Sequence, residues 1–407
     1  MLARAEASDR EAPYDHSQSN DYKEWVRMAW TKPDYKRGEI DRAGDFLINA
    51  GGIADGPATI EQIEGYVEDV DKAFAIINNW RSSHSYPLQV LKMTLLTRAK
   101  RVDNDAIVAQ RIKRLSSIAS KLKRNSNMKL SQMQDLGGCR AVLGTPRRVT
   151  ELVDIYEKAA AKNPRDRPEF IKKYDYIKEP KIDGYRSVHF VYKYRTNAAG
   201  PAIYNGLRIE IQLRSRLQHA WATAVETVST FTGQALKSNI GDEAWKRFFA
   251  LVGSAIAARE LTPTIPNTPT NANELKQELI ACTKQLDVQN RLKIYGDALQ
   301  GVPNLPAFPD AKYFLLELDL AGHRVLVRGY TEERLEEATS DYLAVEKSGA
   351  VSDAVLVSVD SMANLRRAYP NYFLDTRVFV DAVNKAVGIT PSSSMTPRNR
   401  GPVPTRL

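Results

Sequence analysis

Apolar residues recur at helical spacing from Thr59 to Trp80 (TIEQIEGYVEDVDKAFAIINNW), and Thr59 followed by Glu61 and Gln62 supplies a helix start, so a helix is expected there. The same periodicity predicts helices at about 86–100, 147–162, 215–231 and 241–259. Ala106 to Lys123 reads as one amphipathic helix, with Ile107, Ile112, Leu115, Ile118 and Leu122 near one face and Arg111, Arg114, Lys121 and Lys123 elsewhere. A strand is expected after Asp135, running to Leu143, and another from Arg186 to Tyr194. Leu207 to Leu213 (LRIEIQL) alternates strictly: Ile209, Ile211 and Leu213 face one way, Arg208, Glu210, Gln212 and Arg214 the other. Those polar groups make either the floor of a site or the solvated face of an edge strand.

The pattern changes at Leu261, where LTPTIPNTPTNAN marks a linker. Glu274 to Leu299 reads as one long helix. After the Pro-rich GVPNLPAFPD come strands at Tyr313 to Leu320 and Arg324 to Tyr330, a helix at Thr331 to Lys347, a strand at Ala354 to Val359, and helices at Ser361 to Arg367 and Arg377 to Val387: a small α+β unit. Ahead of all this, Trp25, Met28, Trp30, Ala43, Phe46 and Leu47 predict short helices that dock on something larger. Residues 1 to about 20, and those from Thr390 onward, have the polar composition of disordered tails.

A chain of 407 residues with 43% hydrophobic content has length and core material for two or three folded units. Its net charge of +9 favours phosphate-rich partners. Two cysteines, Cys139 and Cys282, cannot build a disulfide framework or a four-cysteine zinc site, which fits a reducing cytoplasm. The N-terminus has no apolar run and nothing approaches a membrane-spanning length, so an unsecreted soluble protein is expected.

Chemistry concentrates between Tyr174 and His189 (YDYIKEPKIDGYRSVH), where Pro180 and the turn pair Asp183-Gly184 bring Tyr185 to a hinge before a strand. A ring beside glycine, with Lys178, Lys181 and Arg186 around it, suits a nucleobase and its phosphates; a basic hairpin with a packing tyrosine reads equally well. Arg111, Lys113, Ser117 and Lys121 fall on nearly one helical stripe suited to a triphosphate. Asp135 lies before the GGCR strand, and Glu210 lies on the polar strand face. Two such carboxylates, with water and phosphate oxygens, are what a catalytic Mg²⁺ requires.

Taken in order, QRIKRLSSIASKLK, QDLGGCRAV, KIDGYRSVH and RIEIQLRSRLQHAWA resemble the synthetase domain of RelA/SpoT-type alarmone synthetases, across roughly residues 60 to 258. The resemblance implies an α+β fold, a mixed β-sheet flanked by helices of nucleotidyltransferase-like type, and transfer of pyrophosphate from ATP to a 3′-hydroxyl. It implies that Arg111 and Arg140 sandwich adenine, that Lys113, Ser117 and Lys121 hold the phosphates, and that Asp135 and Glu210 hold Mg²⁺. Tyr185, on the flexible Gly184, would stack on the acceptor base, with Lys181, Gln212 and Arg214 near the acceptor's phosphates or ribose. His189 and His219 fall inside matching segments, as structural residues or participants. Asp183 stands where many members carry Asn, and Tyr174 where a basic residue is common; both departures lie on the acceptor side. The His-Asp metal signature of the hydrolase domain of long members is missing from the sequence.

RRAYPNYFLDT, with Tyr369 and Tyr372 three apart, resembles the Y-x-x-Y motif of CapRel-type fused toxin–antitoxins of the same superfamily. That resemblance implies a C-terminal pseudo-zinc-finger without zinc, an autoinhibited toxin that pyrophosphorylates the 3′ end of tRNA, and a phage capsid protein as trigger. The expected organisation is a polar tail with docking helices (1–58), the pyrophosphokinase domain (59–260), a linker and connecting helix (261–310), the regulatory domain (311–389) and a disordered tail (390–407). The alternative is a small alarmone synthetase acting on guanine or adenine nucleotides, and a third reading is a binding protein that keeps the fold without the activity.

Overall fold

The computed structural model describes residues 30–49, 60–162, 167–232, 242–297, 308, 310–319, 324–348, 353–359, 362–370, 372 and 376–388. The expectations for Trp25, Met28, the Thr59 helix start, most of GVPNLPAFPD and both tails lie outside these residues.

The elements follow in order as α1 (Arg37–Asn49), α2 (Ile60–Ser82), α3 (Ser85–Val102), β1 (Ile107–Ile112), α4 (Leu115–Arg124), a short 3₁₀ turn (Leu130–Gln132), β2 (Gly137–Leu143) and α5 (Pro146–Lys162). Next come β3 (Glu169–Asp175), β4 (Val188–Lys193), β5 (Arg208–Ser215), α6 (Arg216–Thr232), α7 (Glu243–Arg259), α8 (Ala272–Gln285) and α9 (Val288–Asp297). The C-terminal part holds β6 (Tyr313–Asp319), β7 (Arg324–Tyr330), α10 (Leu335–Ser348), β8 (Asp353–Ser358), α11 (Met362–Ala368) and α12 (Arg377–Val387). Capping residues set several ends. Asp242 accepts the Ala244 N–H at 2.7 Å to start α7, Asn271 accepts the Asn273 N–H at 2.8 Å to start α8, and Gly388 in the left-handed region closes α12.

Among the described residues, eight strands form one mixed sheet in the order β3-β4-β5-β2-β1-β8-β6-β7. Among these described strands β2 and β5 are the parallel pair; the C-terminal strands join through the antiparallel β1–β8 pair, where Arg111 lies opposite Val357. One face buries Val108, Cys139, Phe190, Ile209 and Ile211 against Leu88, Leu91 and Leu95 of α3 and Leu152 and Tyr156 of α5. On the other face, Ile107, Ala109, Val142, Phe314 and Val357 pack with Leu365 and Ala368 of α11 and with Tyr369 and Tyr372. The C-terminal helix α12 returns to the helices of the middle of the chain, where Phe379 and Val383 share a core with Trp245, Phe248 and Phe249 of α7.

Two expectations are corrected, and one strand falls outside them. Residues 107–112 are a strand, not the first half of a helix running to Lys123; the helix starts only at Leu115, after Arg114 takes an extended conformation. A short run with Ile107, Val108 and Ile112 fits either period, and pairing with β2 on one side and β8 on the other selects the strand. The long helix from Glu274 is two helices, α8 and α9, broken at Leu286 and Asp287, the latter with φ of +48°. The strand β3 was not anticipated: it is an edge strand with a bulge between Phe170 and Lys172, so its alternation is interrupted. The Pro/Thr/Asn-rich run after Leu261 packs onto α7, with Ile265 buried and its N–H given to Ser254 Oγ at 2.8 Å. No described helix is long and apolar enough to cross a membrane.

Candidate active site

Register across five strands sets the site. Because directly opposed residues share a sheet face, Lys172, Val191, Glu210, Gly138 and Arg111 form one row, and Tyr174, His189, Gln212, Arg140 and Ala109 the next. Over these rows opens a cleft of about 460 Å³. Small Ala109 and Gly138 stand directly opposite Arg140 and Arg111 across the β1–β2 pair. A side chain at Gly138 would meet only the Glu210 carbonyl, at 3.9 Å, so this part of the floor is open space.

At one end of the cleft, Asp135 sits two residues before β2. Its carboxylate accepts Lys113 Nζ and Lys121 Nζ, each at 2.9 Å. Burial alone would raise its pKa, but the two ammonium groups outweigh burial and hold the carboxyl well below its usual range. Lys113, from the turn after β1, and Lys121, from α4, therefore meet from different elements, and Arg111 reaches the cleft from a strand. The single helical stripe expected for Arg111, Lys113, Ser117 and Lys121 does not exist; Ser117, on α4, does not line the cleft.

Glu210, which also lines the cleft, is held by a polar chain. His189 Nδ1 lies 2.8 Å from Glu210 Oε1, Gln212 Nε2 donates to Oε2 at 2.6 Å, and the Tyr185 hydroxyl lies 2.8 Å from His189 Nε2. Burial pushes the Glu210 carboxyl up, His189 and Gln212 more than offset it, and the group ends below its usual range. A hydrogen bond from Nδ1 to Glu210 turns the other ring nitrogen, Nε2, toward the Tyr185 hydroxyl. Burial raises Tyr185 to about 12, so its hydroxyl stays protonated. Asp135 and Glu210 also feel each other's charge across the cleft.

The wall beside this chain is aromatic and cationic. Tyr174 and Tyr176 stack at 5.9 Å, Tyr176 and Tyr185 meet edge to face, and Lys181 Nζ lies 4.3 Å over Tyr176 and 5.4 Å over Tyr185. Gly184, with φ of +97°, lies beneath: a side chain there would come within 2.8 Å of Trp221 and 2.9 Å of the Phe249 carbonyl, so only glycine lets this loop seat. Asp183 Oδ1 accepts the Tyr185 N–H at 2.8 Å, building the turn that aims Tyr185. Arg214 also lines the cleft, and Arg140 Nε and Arg214 Nε are buried without hydrogen-bond partners. Burial, then Arg214, lower Arg140 to about 10. These orphaned donors suit an anionic ligand.

Sequence reading missed Tyr176, and it left His189 undecided. The tyrosine carries no motif signal of its own. The histidine's role was available in principle, because alternation places it on the Glu210 side of the sheet once the β4–β5 register is known.

A C-terminal segment enters the same cleft. The Tyr369 ring lies 4.5 Å from the Arg140 guanidinium, and its hydroxyl donates to the Gln110 carbonyl at 2.9 Å. Arg140 Nη2 also donates to the Ala368 carbonyl, His219 Nε2 lies 3.1 Å from the Arg367 carbonyl, and Arg114 Nη1 donates to the Tyr372 hydroxyl at 3.2 Å. Tyr369 lines the cleft; Tyr372 packs behind it, 2% exposed. Cys139, on the opposite face of β2, is buried, and burial raises its thiol far above the reactive range, so it is a core residue.

Mg²⁺ is tested by the donors present. Among the described residues no group of three or more His, Cys, Asp or Glu is gathered, so a cation here would draw on Asp135 and Glu210 and complete its shell with phosphate oxygens and water. Asp135 is engaged by Lys113 and Lys121 and Glu210 by His189 and Gln212, so a cation would share or displace these partners, while the orphaned arginine donors suit the phosphates that would accompany it.

Residues 110–232 match the sequence model of a family described as a region found in RelA / SpoT proteins. No curated protein matches the chain. Among solved structures, it is similar to small alarmone synthetase 1 from Bacillus subtilis bound to its product pppGpp, at 22% identity and a TM-score of 0.36, over 44% of this chain and 89% of that one. It is similar to a GTP pyrophosphokinase family protein from Streptococcus pneumoniae at 24% identity and a TM-score of 0.34, over 50% and 90%. The Bacillus subtilis enzyme bound to AMPCPP matches at 20% identity and a TM-score of 0.31, over 51% and 94%.

Proposed function

We propose that this chain, a pyrophosphokinase by its RelA/SpoT domain, transfers pyrophosphate from ATP to the 3′-hydroxyl of tRNA and is restrained by its own C-terminal unit. The observation that carries the reading is Tyr369 lying on Arg140 inside the cleft. A tyrosine offers a guanidinium plane the same π-face that adenine would. Arg111 and Arg140 are the adenine clamp, and Lys113 and Lys121, which neutralise Asp135 here, are the phosphate grips. Ser117, on α4 and outside the cleft lining, has no place among these grips. Asp135 and Glu210 would hold Mg²⁺, which supplies charge neutralisation of the triphosphate when bound.

On the acceptor side, Tyr185 stacks on the terminal base, with Tyr176 and Tyr174 extending the wall and Lys181, Gln212 and Arg214 meeting ribose and phosphate. The acceptor oxygen bonds to the β-phosphorus, the bond from that phosphorus to the α–β bridging oxygen breaks, and AMP leaves. The hydroxyl proton passes toward the Glu210 carboxylate. A carboxylate held this low is a weak base, so positioning and charge stabilisation do more than proton transfer. Tyr369 and Tyr372 act as the restraint, in the manner of an antitoxin segment related to a zinc-free finger. Release by a phage capsid protein would make the enzyme a toxin in anti-phage defence.

The match to the RelA/SpoT region also favours a second reading, a small alarmone synthetase whose acceptor is a guanine or adenine nucleotide. Incubation of the protein with γ-labelled ATP, Mg²⁺, bulk tRNA and free nucleotides, with and without phage capsid protein, separates the two. Label at the tRNA 3′ end supports the first reading; label confined to nucleotides replaces it with the second.

A further inference from the structure

Beyond the Leu130–Gln132 turn lies a second cavity of about 440 Å³, lined among others by Arg37, Trp80, Gln132, Lys193 and Arg208. Its three cations come from the start of α1, the end of β4 and the start of β5. Lys193 and Arg208 are directly opposed on neighbouring antiparallel strands, an arrangement of like charges that costs stability in a sheet. Among the described residues, Lys193 Nζ has Glu169 at 4.0 Å, and Arg208 donates to the Gln132 carbonyl at 3.0 Å. The carboxylate in the lining, Asp41, is already engaged by the Ser131 N–H at 2.9 Å and the Ser131 hydroxyl at 3.1 Å. Trp80 brings an apolar ring whose Nε1 is buried without a partner.

We propose that this cavity binds a phosphate-bearing small molecule, at a site separate from the cleft. Arg37, Lys193 and Arg208 would take the phosphates, and Trp80 an apolar moiety such as a base. The volume lies within the range of small-molecule sites and far exceeds a single phosphate. Gln132 lines both cavities, and Asp135 follows three residues later, so the ligand would sit against the back of the segment that carries the cleft's carboxylate. The site is that of an effector, and it does not rest on which acceptor the cleft uses.

Equilibrium dialysis of the full chain with labelled ADP, labelled GDP and inorganic tripolyphosphate tests this without a turnover assay. Two binding sites are expected. Arg37→Ala with Arg208→Ala should weaken one by roughly tenfold or more, the scale of losing charge-assisted hydrogen bonds, and leave the other; Lys121→Ala should do the reverse. Should the double variant fail to fold, Lys193→Gln at the strand end gives the same reading. Equal tripolyphosphate and nucleotide binding assigns the ligand to inorganic polyphosphates, and preferential nucleotide binding to nucleotides. A single site abolished by Lys121→Ala, or two sites intact in a folded Arg37/Arg208 variant, overturns the proposal.

Discussion

The Glu346 carboxylate accepts the backbone N–H of Leu115 at 3.0 Å, so α10 in the C-terminal unit caps the first turn of α4, 231 residues away in sequence. The same carboxylate accepts the Tyr342 hydroxyl at 2.7 Å and Arg81 Nη1 at 2.8 Å, and Arg81 in turn donates to the Lys113 carbonyl at 3.0 Å. A helix N-terminus is where an anion is stabilised. The C-terminal unit places its own anion on the helix that carries Ser117 and Lys121.

Glu346→Ala should therefore be costly. Arg81 is 1% exposed, and removing its carboxylate partner leaves a buried guanidinium with only neutral acceptors. Breaking one side of a buried pair costs about 3–5 kcal/mol. Thermal or urea unfolding of the variant should show a loss of that size; a change under about 1 kcal/mol would mean that the network does not hold the two parts together.

Tyr369→Ala should raise basal activity. A desolvated cation–π contact is worth about 2 kcal/mol, so freeing Arg140 should tighten ATP binding on the order of tenfold. Tyr369→Phe keeps the ring and loses only the bond to the Gln110 carbonyl, so it should remain restrained. Titration with a non-hydrolysable ATP analogue reads both variants, and equal affinity of Tyr369→Ala and the parent would remove the tyrosine from the restraint.

His189→Gln should lower kcat by roughly tenfold to a hundredfold, with little change in the KM for ATP, because it breaks the chain from Tyr185 to Glu210 without touching the phosphate grips. A rise in the KM for ATP with unchanged kcat would place His189 outside the reacting end of the cleft.

Stability should fall as the medium is acidified from about pH 6.5 to 4. Burial lowers His84 to about 4 in the folded state, against about 6.5 in the unfolded chain, and only its weaker bond to the Trp80 carbonyl opposes this. In that window the unfolded state binds the proton and the folded state does not, so each pH unit downward removes about 1.4 kcal/mol until the folded pKa is reached. Buried His219 is lowered as well, and acts in the same direction. His84→Gln should flatten this limb of an unfolding-against-pH curve; an unchanged slope would show that His84 is not the group responsible.

Much of the site was legible before folding was considered. Strict alternation at Leu207 to Leu213 put Arg208, Glu210, Gln212 and Arg214 on one face; the last three line the cleft and Arg208 the second cavity, with Ile209, Ile211 and Leu213 in the core behind them. Asp183-Gly184 read as a turn, and it is one, with Gly184 in a conformation that Trp221 and Phe249 enforce. The misreading of residues 107–112 had a physical origin: a short apolar segment carries too few turns to distinguish one period from the other, and the deciding hydrogen bonds come from β2 and β8, the latter more than 240 residues downstream.

By itself, then, the sequence determined which residues carry charge and chemistry, and which side of each long element is buried, because period and side-chain type are local properties. Only the tertiary structure decided that Arg111 belongs to a strand, that Lys113 and Lys121 meet on Asp135, that His189 joins Tyr185 to Glu210, and that Tyr369 lies on Arg140. Each of these depends on strand register or on packing between segments far apart in the chain, and such distances are set only when the whole sheet closes on its core.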